Sequence, residues 1–443
     1  MNLAEIAQQI GCPETPALPI KGVCIDSRQI RPGYLFVALR GERFDGHDFI
    51  PAAFASGAVA VICEQRDTRY EAGLQLLVPE AQKALAAIAT AHRKTISSRV
   101  IALTGSNGKT TVKEMIQSIF PKPAFATPGN LNNHIGAPLS VLQFDNTHRY
   151  GVFELGANHA GEIAHTVAIV QPQVALINNI APAHIEGFGS IDGVAKAKGE
   201  IYEGLKDDGI AVINDDDDYA HFWDGLLKSR QVLRFSLTKH VDVHARELVF
   251  NEEGSASFTL VLPVGSLTIS LQVPGEHSVQ NALAAAACCY ALGIGLSDIE
   301  KGLNAFQGVA GRMTYRHGKN HSLVIDDTYN ANLRSVLTAV TVLAKRQGRR
   351  ILVLGDMGEL GGFTQQHHEE IGHVAQEKGI DLLMTCGRFS EFSSLAFGHS
   401  ARHYRSQDEL AHDLLSILDK DTTVLVKGSR SAEMEKIVDQ LVG

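Results

Sequence analysis

An α/β protein of three domains is predicted by three features of the sequence. These are its length, the alternation of short apolar segments with helical windows, and a strand, glycine turn and helix in succession near residue 100. The chain has 443 residues, and a domain holds on the order of 150 residues, so about three separate cores are expected. Hydrophobic residues make up 44% and charged residues 20%, which excludes disordered, collagen-like and coiled-coil classes. The 40 basic and 49 acidic side chains leave a formal charge of −9. That balance argues against a surface built to grip nucleic acid or anionic lipid, so any anion site must be local.

Residues 23–39 read as short strands broken by turns. Residues 52–60 run into the apolar segment VAVICE, and ALAAIATAHRK is helical, giving a small α/β module over 1–98. At Ser97-Ser98-Arg99 the pattern changes to an apolar strand, VIALT, followed by a glycine turn and a helical pattern from Lys109 to Ile119. Further strands are predicted at YGVFEL and VALINN. The alternating stretches SFTLVLP and SLTISLQVP predict a hairpin around Val264-Gly265, a β-rich addition to a central domain over 99–308. The acidic run Asp215 to Asp218 after GIAVIN reads as a solvated turn. From 309 to 443, strands at LVID, ILVLG, DLLMTCG and TVLVKG alternate with helical windows Ser335 to Lys345 and His367 to Glu377. This repeat predicts a parallel sheet with right-handed crossovers.

Glu5 precedes the first lysine, Lys21, so the N-terminus lacks the regions of a secretory signal. The longest uncharged apolar run, Ala282 to Leu296, is too short to span a bilayer. Cys12, Cys24, Cys63, Cys288, Cys289 and Cys386 form no C-x-x-C pair, which excludes the common zinc and thioredoxin signatures. A reducing cytoplasm is expected.

The most informative segment is Thr104-Gly105-Ser106-Asn107-Gly108-Lys109-Thr110-Thr111, between a strand and a helix. There backbone N–H groups and a helix N-terminus converge on an anion. Lys109 is placed to reach the β- and γ-phosphates of a nucleotide, and Thr110 to offer a hydroxyl to Mg²⁺. The loop departs from G-x-x-x-x-G-K-T, because Leu103 stands where the first glycine would fall. Glu154 ends YGVFEL and His184 follows VALINN, so both fall at carboxyl ends of strands beside the loop, where α/β sheets hold ligands. A carboxylate and an imidazole can hold a divalent cation. An ordinary strand-end charge and a structural histidine are the alternatives, with His184 the weaker ligand because Mg²⁺ rarely takes nitrogen. Lys198, in VAKAKGEIYEGLK, reads by itself as a solvated helix lysine.

TGSNGKTT, FELGANHAGEI, NNIAPAHIEGFG, PGEHSVQNALAAAA, DDTYNAN and VKGSRSAEME stand in that order, and on them the chain resembles the Mur ligase family throughout its length. The resemblance implies an ATP-dependent, amide-forming ligase of three domains. These are a UDP-sugar-peptide-binding module (1–98), an ATP-binding central domain (99–308) and a Rossmann-like domain for the incoming amino compound (309–443). TPGNLNNHIGAPLS, LGDMGELG and VKGSRSAEME are most similar to the branch that joins D-alanyl-D-alanine to UDP-N-acetylmuramoyl-tripeptide in peptidoglycan synthesis.

Position by position, the resemblance implies that residues 105–111 hold ATP, with Lys109 on phosphate and Thr110 on Mg²⁺. Glu154 and His184 resemble the metal ligands. Lys198, 14 residues beyond His184, resembles the lysine that the family often carbamylates with CO₂; Lys196 is its neighbour and competitor. A carbamate can coordinate Mg²⁺ where an ammonium would repel it. Asn281 resembles an adenine contact, Arg312 an arginine reaching ATP from the third domain, and Asp327 and Tyr329 the ribose and adenine contacts. ATP and Mg²⁺, two ions, are the implied cofactors.

Ser27, Arg28 and the turn Asp45-Gly46-His47 resemble the UDP contacts, an arginine and loop N–H groups suiting a pyrophosphate. Asn132 and Asn133 resemble sugar-peptide contacts, although their amides equally suit the capping of a turn. Asp356, Lys427, Ser429 and Arg430 are the residues expected to hold the dipeptide, with a cationic pair on its carboxylate. Leu333 stands where this branch usually carries proline, which bears on local loop shape.

The implied chemistry is attack of the tripeptide carboxylate on the γ-phosphate, followed by attack of the dipeptide amine on the acyl phosphate. A monomer that closes its third domain onto the second from an open resting state is expected, without nucleic acid or a membrane span. Two other readings remain at this point: a sister ligase adding a single amino acid, and a nucleotide-dependent switch that ligates nothing.

Overall fold

The computed structural model describes residues 1–12, 15–41, 44–71, 74–182, 185–252 and 254–442. Three sheets follow one another along the chain. The first has four parallel strands in chain order, Gly22–Cys24, Tyr34–Val37, Ala58–Cys63 and Gln75–Leu77. Val61, Ile62 and Cys63 are fully buried, as expected of a strand covered on both faces. The helix Ala81–Lys94 lays Ala81, Ala84, Leu85 and Ile88 against this sheet at helical spacing.

The second sheet has nine strands. From one edge they run Ala124–Ala126, Tyr150–Glu154, Arg99–Thr104, Val174–Ile177, Ile210–Asn214, Gln231–Ser236 and Val243–Phe250, all parallel. Ser255–Leu262 and Gly265–Pro274 then add an antiparallel hairpin at the far edge. The predicted β-rich addition is therefore part of the central sheet. Its alternation explains the hairpin: Ala256, Phe258, Leu260 and Leu262 are buried, while the intervening residues stay more open. The apolar helix Glu276–Ala291, whose residues 281–289 are all buried, packs on one face. Its lack of a polar stripe is what a helix covered on all sides shows.

The third sheet orders its strands as Thr314–His317, Leu323–Asp327, Thr422–Lys427, Arg349–Gly355, Leu382–Cys386 and Ala401–Tyr404. Five are parallel, as the sequence predicts, and Thr314–His317 is an antiparallel edge that it does not reveal. Leu333 opens the helix Leu333–Ala344 behind an intact capping box, in which Asn332 Oδ1 accepts from Ser335 N at 2.9 Å and Ser335 Oγ accepts from Asn332 N at 3.0 Å. Leucine thus serves where proline, at home at a first helical position, would also fit.

Arg93 ties the first sheet's helix to the second domain. It is 4% exposed, and it donates to the carbonyls of Val170 at 2.7 Å and Ile96 at 2.8 Å. No described helix is long and apolar enough to cross a membrane.

Candidate functional site

The strand Arg99–Thr104 lies inside the second sheet, between Tyr150–Glu154 and Val174–Ile177, so its carboxyl end opens beside both neighbours. The loop that follows turns at Gly105 and Gly108 into the helix Lys109–Ile119. Gly108 is left-handed (φ 77°), and a Cβ there would come within 2.6 Å of Asn178 Nδ2 and Asn281 Oδ1, so only glycine fits. Two asparagines at the end of the adjacent strand shape the loop. Asn107 N donates to Asn179 Oδ1 at 2.8 Å, Ser106 N donates to the Asn179 carbonyl at 2.9 Å, and Asn178 Nδ2 donates to the Asn107 carbonyl at 3.0 Å. With those N–H groups engaged, the first-turn N–H groups of the helix are the donors presented to an anion. The ammonium of Lys109 folds over the turn, 2.8 Å from the Gly105 carbonyl. Burial pushes its pKa down; Glu154 opposes that shift and Arg312 adds to it.

A chain of polar contacts crosses from this helix to the third domain. Thr110 Oγ1 donates to Glu154 Oε2 at 2.9 Å and accepts from Arg312 Nη2 at 2.8 Å. The guanidinium of Arg312 lies 4.1 Å from the ring centre of Tyr329, a stacked cation–π pair. Asn332 Nδ2 reaches Asn107 Oδ1 at 2.8 Å, and Arg334 Nη1 reaches the Ile180 carbonyl at 2.8 Å. The third domain thus touches the phosphate loop directly, and the two enclose a cleft of about 580 Å³. An open resting arrangement is the expectation; in this structure the two domains are joined by these contacts.

Lysines 196 and 198 are separated by the fold. Lys196 is exposed, whereas Lys198 is 1% exposed on the helix Ile191–Glu203. Burial pushes the Lys198 ammonium well below the ordinary lysine value, and the charge of Lys109 pushes it further. No hydrogen bond or ion pair to Lys198 occurs among the described residues. His184 lies outside them.

Of the other expected residues, Asn281, Arg312, Asp327 and Tyr329 all line the cleft. Asn281 accepts from Asn178 Nδ2 at 3.1 Å. Asp327 and Lys427, 100 residues apart, form a buried pair at 2.5 Å, and Lys427 also donates to the Asn330 carbonyl at 2.9 Å. That ammonium is thereby engaged inside the third domain. Asp356 is equally engaged: its carboxylate accepts from Arg388 N, Phe389 N and Ser390 N at 2.7–2.9 Å. Its carbonyl accepts from Ser429 Oγ at 2.7 Å. Arg430 is exposed at the cleft and bonded to Glu435 at 2.7 Å.

Asn132 Nδ2 donates to Glu154 Oε1 at 2.8 Å, and Asn133 Oδ1 accepts from Gly136 N at 2.8 Å, just before the helix Gly136–Gln143. Ser27, Arg28, Asp45, Gly46 and His47 are all in the first domain and do not line this cleft. Arg28 is clamped to Asp26 at 2.8 and 2.9 Å. Asp45 accepts from His47 N and from its Nδ1, while Nε2 accepts from Glu64 N at 2.9 Å. A Cβ on Gly46 would come within 2.6 Å of the Leu39 carbonyl oxygen.

One expectation is overturned. Asp215 to Asp218 is not simply a solvated turn. Asp215 is buried and paired with Arg234 at 2.8 Å, Asp216 accepts from Leu237 N at 2.6 Å, and Asp217 accepts from Ile180 N at 2.8 Å. These carboxylates tie the loops at the carboxyl edge together, and Asp216 and Asp217 line the cleft. Sequence reading also passed over Asn178, Asn179 and His277. The NN that ends VALINN was a usable signal; nothing local marks His277, a cleft histidine whose pKa burial pushes down.

Comparison with known proteins identifies this arrangement. Residues 19–93 match the Mur ligase family catalytic domain, 103–289 the Mur ligase middle domain, and 311–430 the Mur ligase, glutamate ligase domain. The chain belongs to the Mur ligase family. This Mur ligase is 43% identical over 430 residues to the UDP-N-acetylmuramoyl-tripeptide–D-alanyl-D-alanine ligase of Escherichia coli (strain K12), covering 96% of this chain and 94% of that protein. Crystal structure I of MurF from Acinetobacter baumannii superposes with a TM-score of 0.91 at 38% identity, covering 99% of this chain and 98% of that one. The MurF ligase from Thermotoga maritima in complex with ADP gives 0.83 at 29% identity, covering 95% and 96%.

Proposed function

We propose that this Mur ligase joins D-alanyl-D-alanine to UDP-N-acetylmuramoyl-tripeptide, converting ATP to ADP and phosphate and forming one amide bond. The observation that carries the reading is the polar chain Glu154–Thr110–Arg312, which links a phosphate loop, a buried carboxylate and a third-domain arginine across one cleft. Full-length similarity to the E. coli and A. baumannii proteins supports the choice of substrates over a single amino acid.

In this reading the tripeptide's terminal carboxylate oxygen bonds to the γ-phosphorus as the bond to ADP breaks, giving an acyl phosphate. The dipeptide amine then bonds to the acyl carbon, phosphate leaves with the C–O electron pair, and the amine loses a proton. The first-turn N–H groups, Lys109 and Arg312 hold and neutralise the phosphates, so catalysis is mainly positioning and electrostatics. Asn281, Asp327 and Tyr329 take the nucleoside.

Thr110 and the buried Glu154 offer two hard oxygens beside the loop and would hold a Mg²⁺ ion there. Bound there, Mg²⁺ supplies charge neutralisation on the transferring phosphoryl group. A further anionic oxygen donor would complete this set. Lys198 would supply it as a carbamate: its neutral buried amine would add CO₂ and release a proton, leaving an anion where an ammonium would repel the metal. His184 is proposed as a further metal ligand.

Ser27, Arg28 and the turn at Asp45-Gly46-His47 are proposed to receive the UDP end, with Asp45 shaping the turn. Arg430 is proposed for the dipeptide carboxylate, with Lys427, Asp356 and Ser429 fixing the loops around it. The chain is proposed to act as a monomer. Six free cysteines agree with a cytoplasmic site of action.

Purified protein with ATP and Mg²⁺ is expected to release phosphate only when both UDP-N-acetylmuramoyl-tripeptide and D-alanyl-D-alanine are present, with a product heavier by the dipeptide less one water. Turnover with a single amino acid in place of the dipeptide would replace this assignment.

A further inference from the structure

Glu154 is 3% exposed at the end of the strand Tyr150–Glu154, and its two carboxylate oxygens have different partners. Oε2 faces Thr110 Oγ1 at 2.9 Å, on the side of the phosphate loop. Oε1 is taken by Asn132 Nδ2 at 2.8 Å. The Glu154 backbone N–H donates to Thr127 Oγ1 at 3.0 Å, so the residue is fixed at its main chain and at both ends of its carboxylate. A glutamate left to itself turns freely about its last bond. Opposed donors on the two oxygens define the plane in which the group lies.

Asn132 is itself held rigidly. Its carbonyl accepts from Gly156 N at 2.9 Å, its own N–H donates to the Asn130 carbonyl at 2.8 Å, and Gly156 presses against its side chain so closely that a Cβ there would lie 3.2 Å from Cγ. Because Glu154 only accepts, the atom of Asn132 that faces it must be the NH₂ group. An amide also orients the carboxylate without cancelling its charge. A lysine or arginine in the same place would set a positive charge against any divalent cation.

We propose that Asn132 is a positioning residue for the metal: its amide aims the Glu154 carboxylate so that one oxygen is turned toward Thr110 and the phosphates. It acts through Glu154 rather than by touching the sugar-peptide substrate, the role its sequence context suggests. The inference rests on the reading of Glu154 as a metal holder given above. Groups that orient metal ligands from behind are typically worth about 10–100-fold in metal affinity or activity.

The test measures Mn²⁺ binding to the full chain with saturating ADP, from the electron paramagnetic resonance signal of free Mn²⁺. It compares the unaltered protein with Asn132→Ala, Asn132→Leu and Glu154→Gln. Leucine keeps the branching and heavy-atom count of asparagine without its donor, so it carries the test if alanine loosens the loop. Thermal melting and ADP affinity are read alongside. Both Asn132 variants are expected to bind Mn²⁺ about 10-fold more weakly, to need correspondingly more Mg²⁺ for half-maximal turnover, and to keep their KM for UDP-tripeptide within twofold. Unchanged Mn²⁺ affinity in a folded Asn132→Leu protein would overturn the proposal, as would a 10-fold rise in the UDP-tripeptide KM with metal binding intact. Glu154→Gln separates the two levels. If it too binds Mn²⁺ like the unaltered protein, the metal reading of the cleft fails; if it alone loses affinity, only the role of Asn132 does.

Discussion

Replacing Lys109 by alanine is expected to lower kcat by about 10²–10³-fold, the scale of removing one preorganised donor that stabilises charge in a transition state, about 2.7–4 kcal/mol. The structure gives two reasons for an effect of that size. Lys109 is the cation at the mouth of the phosphate loop, and its ammonium staples the turn by donating to the Gly105 carbonyl at 2.8 Å. The half-buried setting of the loop pushes its pKa down. A phosphate arriving beside it therefore meets a field that water screens little. The fold should survive, because the helix Lys109–Ile119 is anchored by Val112, Met115, Ile116 and Ile119, all buried. Circular dichroism beside phosphate release checks both points. Near-normal turnover in a folded variant would remove Lys109 from the chemistry.

Lys198→Ala is expected to cost about 10³-fold, equivalent to about 4 kcal/mol, with partial recovery on adding a short carboxylate such as acetate. The variant removes both the stem and the anion proposed to form on it, and an added carboxylate restores only the anion. The unaltered protein offers a complementary measurement. CO₂ adds to the neutral amine alone, and burial with the nearby Lys109 charge holds the Lys198 pKa well below its ordinary value, so neutral amine is present in solutions where a surface lysine would be charged. Activity should therefore fall in CO₂-depleted buffer and return with bicarbonate. The recovery should weaken as pH is lowered and the amine takes up a proton. Full activity of Lys198→Ala without additive would refute the carbamate.

The residues explain why some of this was legible in the sequence. KTTVKEMIQSI is helical from its own spacing, and SFTLVLP with SLTISLQVP alternates as a half-buried hairpin must, so both elements lie where periodicity puts them. The loop Gly105 to Thr111 is local, and its chemistry is written in consecutive residues. What was not legible depends on distance along the chain. Lys427 meets Asp327 across 100 residues, which turns an expected dipeptide ligand into a buried pair. Asp356, expected at the dipeptide, turns its carboxylate to three N–H groups at the start of the helix Ser390–Phe397. Asp215 to Asp217 resemble a solvated run because nothing nearby in sequence announces Arg234, Leu237 or Ile180 as partners. Lys196 and Lys198 are alike in sequence, and only the packing of their helix buries one and exposes the other.

In the proposed reaction an oxygen passes from the tripeptide's terminal carboxylate to the γ-phosphorus of ATP. UDP-N-acetylmuramoyl-tripeptide labelled with ¹⁸O in that carboxylate, turned over with unlabelled water, ATP and D-alanyl-D-alanine, tests the transfer by mass spectrometry of the phosphate released. One labelled oxygen per phosphate is predicted, because the acyl phosphate breaks at its carbon. Phosphate carrying no label, with the amide formed all the same, would contradict it.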